Sequence, residues 1–226
     1  LLFLPFLRPR GGDRGLAGRL LLVGAVQYGL MYMLYIFSFR YLAAYQVAMF
    51  TILTPLYVTL IHDFEVRRFH LRHLLAAGIA VAGAAVIVSR VGDGQGVALG
   101  FLAVQGSNLC FAFGQVEYRR LKRRFPRMDD TRLFGLLYLG AALVTLVPAA
   151  VTTPWTELSL TRNQIVALLY LGFVPSGLCF FLWNLGATRA RVGTLAVMNN
   201  AKIPLAVLAS LLLFDERADV VRLLAG

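Results

Sequence analysis

One stretch limits what this chain can be. Residues 192–214, VGTLAVMNNAKIPLAVLASLLLF, run for 23 positions with a single charge, Lys202. At 1.5 Å per residue, a helix of that length crosses a hydrocarbon core of about 30 Å. An ammonium at the bilayer centre costs roughly 2.5–3.5 kcal/mol on insertion scales. The lysine stem reaches about 6 Å, against about 15 Å to either interface, so snorkelling does not relieve the charge. Something must compensate Lys202, which makes it the first candidate for a solute contact. The competing reading is a lysine neutralised by burial, or satisfied by Asn199 and the carbonyl freed at Pro204.

Comparable apolar runs lie at residues 20–39, 43–61, 74–88, 97–116, 133–151 and 164–185. The chain is 59% hydrophobic and only 15% charged, where soluble domains are nearer half and a quarter. The fold class is therefore an all-α polytopic membrane protein. A net charge of +11 raises the question of nucleic acid, but the basic residues bunch in the links between apolar runs. Links on one side hold 16 Lys and Arg, those on the other 5, and Lys202 is the remaining one of 22. That alternation is the positive-inside pattern and makes the richer side cytoplasmic, in a multi-pass cell (inner) membrane protein. Cys110 and Cys179 sit inside apolar runs and read as small packing residues. His70 and His73 share an i, i+3 spacing but have no accompanying cysteine, so no metal is expected. Residues 91–96, VGDGQG, read as a turn, because no Gly-Lys-Ser/Thr follows. No cofactor is expected.

Both ends read as cut helices: Leu1 to Leu7 is too short to span, and residues 220–226 begin another apolar run.

Polar residues inside the runs are the remaining site candidates. Gln105, Asn108 and Gln115 form one stripe with Ala112 on residues 97–116, and amides facing lipid are costly, so they face a partner helix or a wet cavity. Gly106, Cys110 and Gly114 make a small-residue contact face on the same run. Tyr28, Tyr32, Tyr35 and Phe39 share a helix face, either packed against neighbours or lining a cavity. Asn184 follows Trp183 near the end of its run. Pro55, Pro175 and Pro204 mark kinks or gating points within apolar runs. Glu117 precedes Tyr118-Arg119-Arg120 and is expected to pair with those arginines.

The chain also repeats itself. Arg40 to Pro55 and Arg189 to Pro204 each span 15 residues at an offset of 149, with Met49 matching Met198. The two copies enter the membrane from opposite sides. Inverted repeats with interrupted helices are the architecture of many secondary transporters, with the site near the midplane.

The Arg-Tyr-Leu-Ala-Ala turn with Thr54-Pro55, and the later series Leu182-Trp183-Asn184, Pro204, a Leu-rich run and Asp215-Glu216-Arg217 before Leu-Leu-Ala-Gly, resemble the EamA-type family of the drug/metabolite transporter superfamily. The resemblance implies ten helices in two inverted five-helix repeats, of which this chain lacks helix 1, most of helix 2 and most of helix 10. It assigns residues 1–90 to the end of the first repeat and 96–226 to the second. It places Pro55 and Pro204 on paired helices beside a central cavity, with Glu65 and Glu216 ending those helices. Leu53 holds the position matching Lys202.

The function these readings support is a secondary transporter of small metabolites, such as amino acids or carboxylates, working by alternating access. Lys202 and Asn199, three apart on one face, would contact the solute, with Asn108, Gln105, Asn184 and Tyr32 as further contacts. Partners are then the solute, the lipid bilayer and a coupled proton or counter-solute; a homodimer stays open. A non-transporting membrane scaffold or receptor subunit is the alternative. A membrane enzyme is not expected, since no His-Glu-x-x-His, no Gly-x-Ser-x-Gly and no mid-membrane acid pair occurs.

Overall fold

The computed structural model describes Phe3, residues 14–67, Leu71, Leu75, Gly78, Ile79 and residues 95–126 and 128–190, then Thr194, Leu195, residues 198–201 and Leu205. Among these, every regular element is helical. Lys202, Pro204 and Glu216, and the packing expected of residues 74–88, lie outside the described residues or largely so.

Among the described residues, five stretches are long and apolar enough to cross a membrane: Gly15–Ser38, Gln46–Glu65, Gly96–Arg124, Asp130–Thr152 and Arg162–Arg189. The first consists of α1 (Arg14–Gly24), a π turn (Ala25–Leu30) and α2 (Met31–Ser38). The second is α3 (Ala44–Phe50), a 3-10 turn (Thr51–Leu53) and α4 (Thr54–Val66). The third and fourth are the single helices α5 (Gln95–Arg124) and α6 (Asp130–Thr152). The fifth is α7 (Arg162–Phe173), a π turn (Val174–Cys179) and α8 (Phe180–Arg189).

The helices outrun their apolar runs, and the reason is simple. Hydrophobicity sets where a helix leaves lipid, not where its hydrogen bonding stops. α5 continues through the basic segment to Arg124, 30 residues in all. That is about 45 Å, so its last turns stand clear of the hydrocarbon. Ends come instead at caps. Asp129 caps α6 through the Thr131 N–H at 3.2 Å. Thr161 and Gln164 form a capping box at α7, with the Thr161 N–H 2.9 Å from Gln164 Oε1. α4 ends at Arg67, whose φ of 53° is left-handed.

The second span breaks because of Pro55. Its missing N–H strips the Thr51 carbonyl of its helical donor. The Thr54 hydroxyl, 2.7 Å away, takes that carbonyl instead. Thr51 in turn donates to Ala48 O at 2.7 Å.

The core is a layer of aromatic and aliphatic side chains between α1, α2, α5 and α6, built around fully buried Phe134 and Leu137. α1 and α6 approach backbone to backbone at two glycines: Gly24 lies against the Leu137 peptide, and Gly140 against that of Leu21. A side chain at either would need the opposing backbone to move, which is the close approach small residues permit in membranes. On α5, Gly114 lies against the Gln27 side chain and Gly106 against Leu34, so the small-residue face packs on the first span.

At the basic end, ion pairs tie the helices together. Arg120 on α5 reaches Glu65 of α4 at 3.1 Å and Glu117 at 3.5 Å. Lys122 meets Asp130 of α6 at 2.9 Å, and the Tyr118 hydroxyl donates to the same carboxylate at 2.9 Å. Arg119 donates to the Ala190 carbonyl past α8 at 2.8 Å.

Candidate solute site

Two polar networks run inside the apolar part of the bundle. The first joins the two spans that carry π turns. Gln27, fully buried, places its amide nitrogen 3.4 Å from Asn184 Oδ1. Asn184, also fully buried, donates to the Tyr28 hydroxyl and to Phe180 O. Four residues on from Tyr28, the Tyr32 hydroxyl is 3.0 Å from the Ser176 hydroxyl. The Tyr138 hydroxyl donates to the Ser176 carbonyl. Aromatic rings frame this network: Tyr28 stacks on Tyr138 at 5.0 Å and meets Phe180 edge-on at 5.4 Å. π turns recur at functional sites because they tilt side chains and loosen the helical ladder.

The second network fastens α5 to the broken second span. Asn108 donates to Phe50 O at 3.0 Å and to Gln105 Oε1 at 3.2 Å, and its own Oδ1 lies 3.0 Å from the Thr54 hydroxyl. Tyr57 donates to Gln105 Oε1 at 3.2 Å. Asn108 thus spends its hydrogen-bonding capacity on a partner helix.

Other groups are left over. Gln27 Oε1, Gln105 Nε2, Gln115 Nε2, Trp183 Nε1, Asn199 Nδ2 and Asn200 Oδ1 are buried with no partner among the described residues. A buried polar atom left unmatched costs about 1–3 kcal/mol. Such groups call for water, a polar solute or residues outside the described ones to complete them.

The sequence candidates separate accordingly. Asn184 and Tyr32 share the first network, Asn108 and Gln105 the second, and Asn199 is buried with no partner for its amide nitrogen among the described residues. Pro175 opens the second π turn and Pro55 follows the 3-10 turn. Gln27 and Tyr138 are absent from the sequence candidates, and Ser176 is legible there only as part of the break at Pro175-Ser176-Gly177. Gln27 could have been found, as a lone amide in an apolar run. Tyr138 is marked by no pattern, since only tertiary packing brings α6 to the turn at Val174–Cys179.

The sequence pattern of the EamA-like transporter family matches residues 98–226. The chain belongs to that family. It is also 42% identical over 219 residues to the biotin transporter of Salmonella typhimurium, covering 96% of this chain and 72% of that protein. It is 40% identical over 227 residues to the probable biotin transporter of Pseudomonas aeruginosa, covering 100% and 79% respectively. The biotin transporter of Escherichia coli K12 is 40% identical over 219 residues, covering 96% of this chain and 72% of that one. A solved crystal structure superposes with a TM-score of 0.65 at 21% identity, covering 89% of this chain and 69% of that one, a likeness of fold. As an EamA-like transporter, the chain is a multi-pass protein of the cell membrane that carries small metabolites and is not an enzyme.

Proposed function

We propose that this EamA-like transporter carries biotin, or a solute with the same pairing of cyclic urea and carboxylate, by alternating access between two inverted halves. The observation that carries the reading is identity of 40–42% to proteins named for biotin, extending over 96% or more of this chain. The chemistry is compatible. Biotin is an apolar bicycle with a urea that donates and accepts, joined by an aliphatic tail to a carboxylate. In this reading biotin takes the place of the amino acids, carboxylates or related polar solutes expected from the sequence.

Lys202, three residues after Asn199 in the sequence, would supply the counter-charge that such a carboxylate needs in lipid. The unmatched amide and indole groups, Gln27 Oε1 and Trp183 Nε1 among them, offer one acceptor and one donor of the kind a urea needs. Aromatic side chains such as Tyr28 and Phe180 suit its apolar body.

Uptake of radiolabelled biotin by proteoliposomes containing the full-length carrier tests this. Biotin should be taken up and its methyl ester, which has no charge, should not compete. Lys202→Met should raise KM at least about tenfold, the equivalent of about 1.4 kcal/mol of lost binding, and Lys202→Arg should retain most uptake. No biotin uptake by the wild-type carrier removes biotin as the solute. Unchanged uptake by Lys202→Met removes Lys202 from the mechanism.

A further inference from the structure

We infer that Ser176 is a positioning residue of the transport cycle: it pins the broken fifth span to Tyr32 and Tyr138, and release of that pin lets α7 swing relative to α8. Ser176 lies in the six-residue π turn Val174–Cys179. Pro175, one residue before it, has no N–H to give the preceding turn, so the helical ladder is already interrupted there.

The two sides of the turn are held very differently. α8 buries Asn184 and Ala187, whereas α7 buries none of its residues. Ser176 is the point where the loosely held half is tied down, and it ties to two helices at once. Its hydroxyl is 3.0 Å from that of Tyr32 on α2, and its carbonyl accepts the hydroxyl of Tyr138 on α6. Tyr32 itself follows directly on the first span's own π turn, Ala25–Leu30. The latch therefore joins two spans at, or within two residues of, the π turn that interrupts each.

There is also room to move. A cleft of about 230 Å³ lies against the turn, bordered by Tyr138, Leu168, Gly172 and Gly177. A Cβ placed on Gly172 would meet nothing within 4 Å. Two hydrogen bonds of this kind are enough to bias an equilibrium between two packings and weak enough to break in every cycle.

The turn contains its own reporter. Cys179 is an exposed free thiol on the same turn, and Cys110, the other cysteine, is buried. In the full-length carrier in lipid nanodiscs, with Cys110→Ser and any cysteine outside these 226 residues likewise replaced so that one thiol reports, a membrane-permeant maleimide should label Cys179 faster in Ser176→Ala. The expected increase is about threefold, the weight of one interhelical hydrogen bond in a membrane. Ser176→Thr should restore the wild-type rate. Tyr32→Phe should reproduce the effect of Ser176→Ala, and the double variant should add nothing further. In biotin uptake Ser176→Ala should change the maximal rate and leave KM within about twofold, since Ser176 is not one of the groups proposed to touch the solute; Tyr32→Phe is read by labelling alone.

Unchanged labelling in both Ser176→Ala and Tyr32→Phe overturns the inference. So does an additive double variant, or a KM effect that Ser176→Thr does not restore. The labelling is read without solute. If wild-type carrier takes up no biotin, the proposed solute falls while the labelling rates still decide the role of Ser176.

Discussion

The Asn108 side-chain nitrogen lies 3.0 Å from the carbonyl oxygen of Phe50, at the point where the second span stops being an α-helix. One amide on a straight helix therefore holds a bend on its neighbour. The bend originates in Pro55 and is made tolerable by Thr54 and Asn108 together.

Asn108→Leu should consequently destabilise the fold but not abolish it. Hydrogen bonds between membrane helices average about 0.6 kcal/mol and reach about 1.7. Asn108 makes more than one, so a loss of about 1–2 kcal/mol is expected. The thermal midpoint in detergent should drop by about 3–6 °C. Asn108→Asp at neutral pH should be worse, because it replaces two donors with a buried charge.

The contact between α1 and α6 is a harder constraint. The atoms facing Gly24 and Gly140 belong to opposing backbone, at Leu137 and Leu21, and cannot rotate away. Gly140→Leu should cost at least the roughly 1–3 kcal/mol of a typical overpacking and should lower the yield of folded carrier. Gly186→Ala on α8 is the matched control, since nothing lies within 4 Å of its added methyl. Size-exclusion profiles of the two variants should differ clearly; similar profiles would show that the two helices can separate at little cost.

Ion pairs at the basic end should matter much less. The Arg120 side chain is 58% exposed and that of Glu65 27% exposed. Exposed pairs of this type contribute about 0.2–1 kcal/mol and are screened over about 8 Å at physiological salt. Arg120→Gln should therefore shift the thermal midpoint by no more than about 3 °C. At molar salt the difference from wild type should vanish. A large shift that survives high salt would mean that Arg120 acts through packing.

Acid should loosen the start of α6. The Thr131 hydroxyl, donating at 2.6 Å, holds the Asp129 carboxyl below its ordinary value, helped by the Thr131 N–H and the charge of Lys122. A carboxyl depressed in the folded state adds stability that is present above its unfolded pKa of about 3.9 and is lost as pH falls through the folded value. Protection of the first turn of α6 against hydrogen exchange, taken relative to the intrinsic rate at each pH, should fall below about pH 4 in the wild type. Asp129→Asn keeps a capping side chain without the charge and should remove that pH dependence. Asp129→Ala should expose the turn at every pH.

Much of this protein could be read from residue order alone, because lipid imposes blunt rules. Apolar length set the five spans of the described residues, and the resemblance carried by Pro55, the Trp183-Asn184 pair and Pro204 led to the family. The stripe at Gln105 and Asn108 announced that something polar must face it. Tertiary structure decided who that partner is: for Asn108 it is the carbonyl of Phe50, and a carbonyl is present at every position and leaves no mark in sequence. The same holds for Ser176, where only packing brings Tyr32 and Tyr138 from two other helices to one turn. Hydrophobic burial depends on composition and period, which a sequence displays. Hydrogen bonds between helices depend on ångström-scale approach, which it does not.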